Sequence, residues 1–188
     1  MVLMSNKLIL WTGEKHCGKT SSVTKLVKIA RAEGFNVAGL LAPSLYRNSI
    51  LIGFDVLDLR NEARAPLARR ETDGSKTGQF TSLAEGLKLG NAALSAKATK
   101  SADLVTVDEF GPLELNGRGW RKNVDSLLAS SNAVILLVVR QESADAVWHL
   151  YADLPCQKLA ATEPKSIGKV IRMLKNRRQS QRGKNAQA

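Results

Sequence analysis

The octapeptide Gly13-Glu14-Lys15-His16-Cys17-Gly18-Lys19-Thr20 matches G-x-x-x-x-G-K-[ST] and lies between the apolar run Leu8-Ile9-Leu10-Trp11 and a helix-like segment. That context commits the chain to a strand, a tight glycine loop and a helix in succession. In such a loop the backbone N–H groups point inward at phosphate oxygens, and the following helix aims the positive end of its dipole at the same anion. Lys19 reaches the β- and γ-phosphates, and the Thr20 hydroxyl is a ligand for Mg²⁺. The expected nucleotide-binding segment is therefore Gly13, Glu14, Lys15, His16, Cys17, Gly18, Lys19, Thr20 and Ser21.

A second apolar run, Leu104-Val105-Thr106-Val107, ends in Asp108-Glu109. An acidic residue at the carboxyl end of a buried strand is placed to hold Mg²⁺, often through water, and Asp108 takes this role opposite Thr20. Glu109 is then positioned to orient and deprotonate an attacking water, which turns phosphate binding into hydrolysis. A kinase would have to exclude that water so that an acceptor hydroxyl could attack. Arg140 closes the apolar run 134–139 and is expected at the same sheet edge, where a cation stabilises the γ-phosphate.

The rest of the chain alternates between the two periodicities. Val23, Leu26, Val27 and Ala30 follow helical spacing, with Gly34 as the stop. Residues 36–42 read as a strand, and 51–59 as another, paired antiparallel through the turn Arg47-Asn48-Ser49; 65–69 adds a third. Residues 71–79 read as a polar loop. Leu83, Leu87 and Leu94 predict a helix that Gly86 and Gly90 weaken. Trp120, Val124, Leu127 and Leu128 mark a helix, 133–139 a buried strand, 144–151 a helix and 156–160 a short strand. Ile167, Val170, Ile171 and Leu174 make a last amphipathic helix ending near Leu174. The pattern predicts an α/β domain in three layers, a mainly parallel sheet with antiparallel additions, covered by helices on both faces. Ligand belongs at the carboxyl ends of the strands.

The glycine loop, the string Asp108-Glu109-Phe110-Gly111-Pro112-Leu113-Glu114-Leu115, and the stretch from Arg47 through Gly53-Phe54 to Leu59 resemble the THEP1-type nucleoside-triphosphatase family over roughly residues 7–175. The resemblance implies a single RecA-like P-loop domain and slow, Mg²⁺-dependent hydrolysis of several nucleoside triphosphates to diphosphate and phosphate. The chain departs from the family pattern at Glu163-Pro164-Lys165-Ser166, where an Asn-Arg pair is expected to open the last helix. Arg47, in the family-like turn, reaches the triphosphate if that turn folds over the site; otherwise it is a surface residue. Glu114 fits a role in fixing loop geometry rather than in chemistry.

Length and composition suit one domain, residues 1–175, followed by a basic tail, 176–188. The net charge of +11 looks like a nucleic-acid signal, but residues 165–188 hold eight Lys/Arg and no acid. The first 164 residues carry 20 basic against 17 acidic side chains. The tail offers counterion release to RNA, DNA or an acidic partner, but it has no aromatic residue for base stacking, and a solvated tail is the favoured reading. Cys17 and Cys156 lack metal-ligand spacing and read as free thiols of a reducing, cytoplasmic compartment. No apolar run approaches the ~20 residues of a membrane span. The histidines, His16 in the loop and His149 on a helix, form no metal cluster. Without an Asn-Lys-x-Asp string to select guanine, ATP, GTP, CTP and UTP are all open substrates, and oligomeric state is undetermined. Two alternatives stay open: a P-loop kinase, for which the arginines of 60–78 would serve a lid, and a nucleotide-dependent switch that uses the basic tail to bind nucleic acid or protein.

Overall fold

Along Leu8-Ile9-Leu10-Trp11 successive side chains point to opposite faces of a strand, and all four are fully buried. A strand sealed on both faces needs cover on both, which the helices supply. The computed structural model describes residues 7–70 and 80–185. In chain order the elements are β1 Leu8–Gly13, α1 Lys19–Ala32, β2 Val37–Leu41, β3 Ser44–Arg47, β4 Ile50–Asp58, β5 Arg64–Arg70, β6 Phe80–Ser82, α2 Ala84–Ala93, α3 Ala96–Thr99, β7 Leu104–Val107, α4 Pro112–Leu115, α5 Arg121–Ser130, β8 Val134–Arg140, α6 Ala144–Leu150, β9 Cys156–Ala160 and α7 Lys165–Asn185. The expected polar loop 71–79 lies outside the described residues.

One sheet runs in the order β6-β5-β4-β2-β7-β8-β1-β9, with β3 paired to β4. The segment β2-β7-β8-β1-β9 is parallel. The flank is antiparallel: β4 pairs β2, β5 pairs β4, and β6 pairs β5. This is the mainly parallel α/β sheet with antiparallel additions that the periodicity predicts. Asn48 and Ser49 both take positive φ, 48° and 63°, and close the β3–β4 hairpin in two residues. Because β4 runs against β2, the hairpin rises beyond the carboxyl edge of the parallel strands.

Two buried clusters flank the sheet. On one face Leu8, Leu10, Val105, Ile135 and Leu137 meet Trp120, Val124 and Leu127 of the α5 region and Val147 of α6. On the other, Ile9, Trp11, Leu136 and Val138 meet Val23, Leu26 and Val27 of α1 and Val170, Ile171 and Leu174 of α7. Each fully buried Leu, Ile or Val side chain contributes about 1.5–3 kcal/mol relative to exposure.

The two glycines of α2 have a packing role that their helix propensity does not show. They let the helix approach its neighbours. A Cβ at Gly86 would lie 2.4 Å from the Pro66 carbonyl oxygen and 2.5 Å from Leu67 Cα, and one at Gly90 would lie 2.3 Å from the Trp120 ring. Gly-to-Ala inside a helix ordinarily stabilises by about 1 kcal/mol. At Gly86 the sign reverses, because strand backbone has nowhere to move. Gly86→Ala therefore lowers the melting temperature by at least ~3 °C in a thermal melt.

The last helix does not end near Leu174 but continues to Asn185. The turn beyond Leu174 is anchored by Arg178. Its guanidinium lies 2.9 Å from Asp103 Oδ2, donates to the Gly34 carbonyl at 3.0 Å, and sits 4.1 Å from the centroid of the Phe35 ring. Arg177 donates to the Asn132 carbonyl at 2.8 Å, and Lys175 pairs with Glu33 at 2.8 Å. Deleting residues 176–188 removes the Arg177 and Arg178 anchors, worth about 1–2 kcal/mol together, so melting drops by ~2–6 °C. An unchanged melting temperature would mean that these contacts carry no net stability.

Candidate active site

The parallel register decides which residues meet. Gly13 is opposite Arg140, and Val107 is opposite Leu137 and Leu40. The loop after β1, Asp108 after β7, Arg140 ending β8 and Pro43 after β2 thus emerge on one edge. In the glycine loop, His16 and Gly18 take left-handed φ of 62° and 83°. Gly18 caps α1 without a side-chain hydrogen bond, and no acidic residue lies in the first turn. The amides and dipole of that turn are left to an anion. Lys19 is nearly buried, and its ammonium donates to the carbonyls of Gly13 at 3.0 Å and Glu14 at 2.7 Å.

Asp108 is fully buried. One carboxylate oxygen accepts from the Ala42 N–H at 3.1 Å, the other from the Glu109 N–H at 3.0 Å, and the Thr20 hydroxyl is a further partner. Burial pushes the carboxyl up to about 6, against the pull of these donors, and the neighbouring Glu109 charge adds to the rise. Thr20 and Asp108 are thus in contact.

Glu109 is the next residue, and its φ of 63° places a non-glycine residue in the left-handed region. Such a conformation costs about 1 kcal/mol or more and persists only where its surroundings over-determine it. Here they do: its own N–H is held by Asp108, and the Phe110 N–H donates to the Val138 carbonyl at 2.9 Å. The turn delivers the Glu109 carboxylate to Arg140, Oε2 to Nη2 3.4 Å, while Arg140 also faces Glu142 at 3.9 Å.

A cleft of ≈ 360 Å³ joins these groups: Lys15, His16, Gly18, Lys19, Thr20 and Ser21 line one wall, and Glu109 and Arg140 line it next to them. Asp108 lies buried beneath, in contact with Thr20. Gly13, Glu14 and Cys17 shape the loop without lining the cleft. Arg47 is exposed at the hairpin end and does not line it either. The opposite wall is one that motif reading missed: Pro43, Ser44, Tyr46, Leu51 and Phe54, all on or beside the β3–β4 hairpin. Their signal was the stretch from Arg47 to Gly53-Phe54, but no spacing rule says that a hairpin overhangs a neighbouring strand end. A larger cleft, ≈ 530 Å³, lies at the amino edge of β2 and β7, far from these groups.

Among the described residues no group of three or more His, Cys, Asp or Glu converges as a metal cluster, and no helix is long and apolar enough to cross a membrane. Burial holds the Cys156 thiol up at about 11.

The NTPase family matches residues 8–164. The chain belongs to this nucleoside-triphosphatase family. Among its relatives, nucleoside-triphosphatase THEP1 of Methanothermobacter thermautotrophicus is 33% identical over 71% of this chain and 76% of that protein. The THEP1 protein of Methanopyrus kandleri is 29% identical over 74% and 76%. In fold, the chain is similar to the crystal structure of THEP1 from Aquifex aeolicus, with a TM-score of 0.67 at 18% identity over 89% of this chain and 98% of that one. The solution structure of a human cancer-related nucleoside triphosphatase gives 0.66 at 18% identity over 93% and 97%. The RecA-like P-loop architecture implied by the family resemblance is the architecture found.

In this member of the family, the loop beyond Glu109 is clamped by Glu114. Its carboxylate, only 3% exposed, accepts from the Gly111 N–H at 2.8 Å and the Trp120 N–H at 3.1 Å. Burial raises its pKa above the ordinary value of 4.5. Between 4.5 and that raised value the folded state holds a proton the unfolded state has lost, so this group's contribution to stability falls as pH rises. Replacing it with Glu114→Gln removes the titration. Denaturant unfolding across pH 4–7 should show the wild type losing stability relative to the variant with rising pH in that window, then a constant difference above it.

Proposed function

We propose that this chain is a Mg²⁺-dependent nucleoside triphosphatase that hydrolyses ATP, GTP, CTP and UTP to the diphosphate and phosphate, with water activated by Glu109. The observation that carries the reading is the left-handed turn at Glu109, which sets a carboxylate beside Arg140 at the mouth of the phosphate-binding loop. The names of the relatives agree with it.

The donor set fits Mg²⁺. Thr20 and Asp108 offer hard oxygens, and Asp108 is a buried carboxylate with neutral donors around it and a pKa raised by that burial. Mg²⁺ takes one or two protein carboxylates and fills its octahedron with phosphate and water. When bound there, the ion neutralises charge on the β- and γ-phosphate oxygens. The chain's own groups do the rest. The amides of the loop and first helical turn hold the phosphates, and Lys19 turns its ammonium from the Gly13 and Glu14 carbonyls toward them. Glu109 orients a water and takes its proton, and Arg140 balances charge on the transferring group.

The kinase alternative needs mobile arginines in 60–78. Arg64 and Arg69 instead grip the buried Asp55, at 2.5 and 2.6 Å, within β5. Arg60 lines the cleft at the amino edge.

The test is phosphate release from the four NTPs with Mg²⁺. Lys19→Ala should weaken nucleotide binding and abolish turnover. Glu109→Gln keeps shape and metal ligands while removing the base, so nucleotide binding stays near normal and the rate falls at least ~100-fold. A Gln variant that hydrolyses at the wild-type rate removes Glu109 as the base.

A further inference from the structure

The Glu109–Arg140 pair has a second side. A separate pocket of ≈ 330 Å³ opens there, and both residues line it as well as the phosphate cleft. Its other walls are largely apolar: Leu67 and Ala68 from β5, Leu87 from α2, Phe110 and Leu113 after β7, and Trp120 before α5. This volume falls at the lower end of the ~300–1,000 Å³ typical of small-molecule sites. The floor is held from behind. The Phe110 N–H is tied to Val138, the Trp120 N–H to Glu114, and both side chains are nearly fully buried, so this wall of the pocket is fixed.

The chemistry of an occupant follows from the lining. A ring-sized apolar body matches most of the walls; of the polar side chains, Ser82 belongs to β6, the Glu114 carboxylate is already engaged by the Gly111 and Trp120 N–H groups, and a carboxylate–guanidinium pair lies at the Glu109–Arg140 end. There a carboxylate accepts and a guanidinium donates; a hydroxyl does both. A charged head would be attracted by one member of the pair and repelled by the other. We propose that this pocket is a binding site for a small uncharged molecule with an apolar, ring-sized body and a terminal hydroxyl, seated with the hydroxyl on Glu109 and Arg140. Occupancy diverts Glu109 from water and lowers turnover without filling the phosphate cleft. That consequence rests on Glu109 as the base; the site itself does not.

The probe is 2-naphthaleneethanol, titrated into the full chain while the indole N–H signals of Trp11, Trp120 and Trp148 are followed by NMR, with Trp120 assigned through Trp120→Phe. The expected result is a saturable shift of the Trp120 signal with the other two unmoved. The methyl ether of the probe, which cannot donate to Glu109, binds at least ~10-fold more weakly, because a hydrogen bond to a charged acceptor is lost. Glu109→Ala erases that difference. Ala68→Phe, an aromatic residue on a strand, fills the pocket and removes the shift while the remaining amide spectrum shows the fold retained. No saturable shift, equal affinity for alcohol and ether, or an undiminished shift in Ala68→Phe overturns the site. If Glu109→Gln hydrolyses at the wild-type rate while the Trp120 shift and the ether discrimination persist, the site stands and the assignment of the base alone fails.

Discussion

Because both faces of the central strands are sealed against helices, polar chemistry can surface only at strand ends, and everything in this protein is arranged around that constraint. Leu8 to Trp11, Leu104 to Val107 and Val134 to Val139 are buried throughout. Their side chains have no freedom to be anything but apolar, save Thr106, whose hydroxyl bonds to the Leu40 carbonyl at 3.2 Å. Where each strand stops, the charged or phosphate-binding residues appear: the loop after Gly13, Asp108 and Arg140. Since β8 stands between β1 and β7, these three positions are neighbours, and a register slip on any strand would separate them.

The cost of putting a carboxylate at the floor of this site is visible in Asp108. A fully buried acid would ordinarily be neutralised or paired. Here it is held by two backbone N–H groups and the Thr20 hydroxyl, and burial still raises its pKa to about 6. The same two residues then turn the chain. Asp108 accepts the Glu109 N–H, and the left-handed backbone at Glu109 throws its side chain across to Arg140 while Phe110 drops back into the core. A single strained residue thereby divides the edge into the phosphate-loop cleft and a more apolar pocket.

Support for this arrangement is distributed far from it. Glu114 clamps the loop after Glu109 to the start of α5 through two backbone donors. Trp120, thus fixed, packs against Gly90 of α2, and Gly86 of the same helix rests on the backbone of β5. The antiparallel flank carries the hairpin whose Tyr46, Leu51 and Phe54 wall the cleft. On the far side of the sheet, α7 covers β1 and β8 and is tied at its end by Arg178 to Asp103 and Phe35, so the basic segment is in part a fastening rather than a solvated tail.

What the sequence determined by itself was whatever is local in the chain. The glycine loop, the buried strand ending in Asp108-Glu109, the strand ending in Arg140 and the helical faces of α1 and α7 are each carried by a few consecutive or evenly spaced residues, and their periodicity survives any tertiary context. The short pieces β3, β6, α3 and α4 were not legible, since elements of three or four residues hold too few side chains to show a period. Nor were the features that exist only between segments distant in the chain. Gly86 and Gly90 look like helix breakers until Leu67 and Trp120 are laid against them, and Arg178 looks solvated until Asp103 and Phe35 arrive beside it. The hairpin wall, the left-handed Glu109 and the pocket behind it depend on strand order and register. Those follow from the packing of two apolar faces at once, which no stretch of sequence contains.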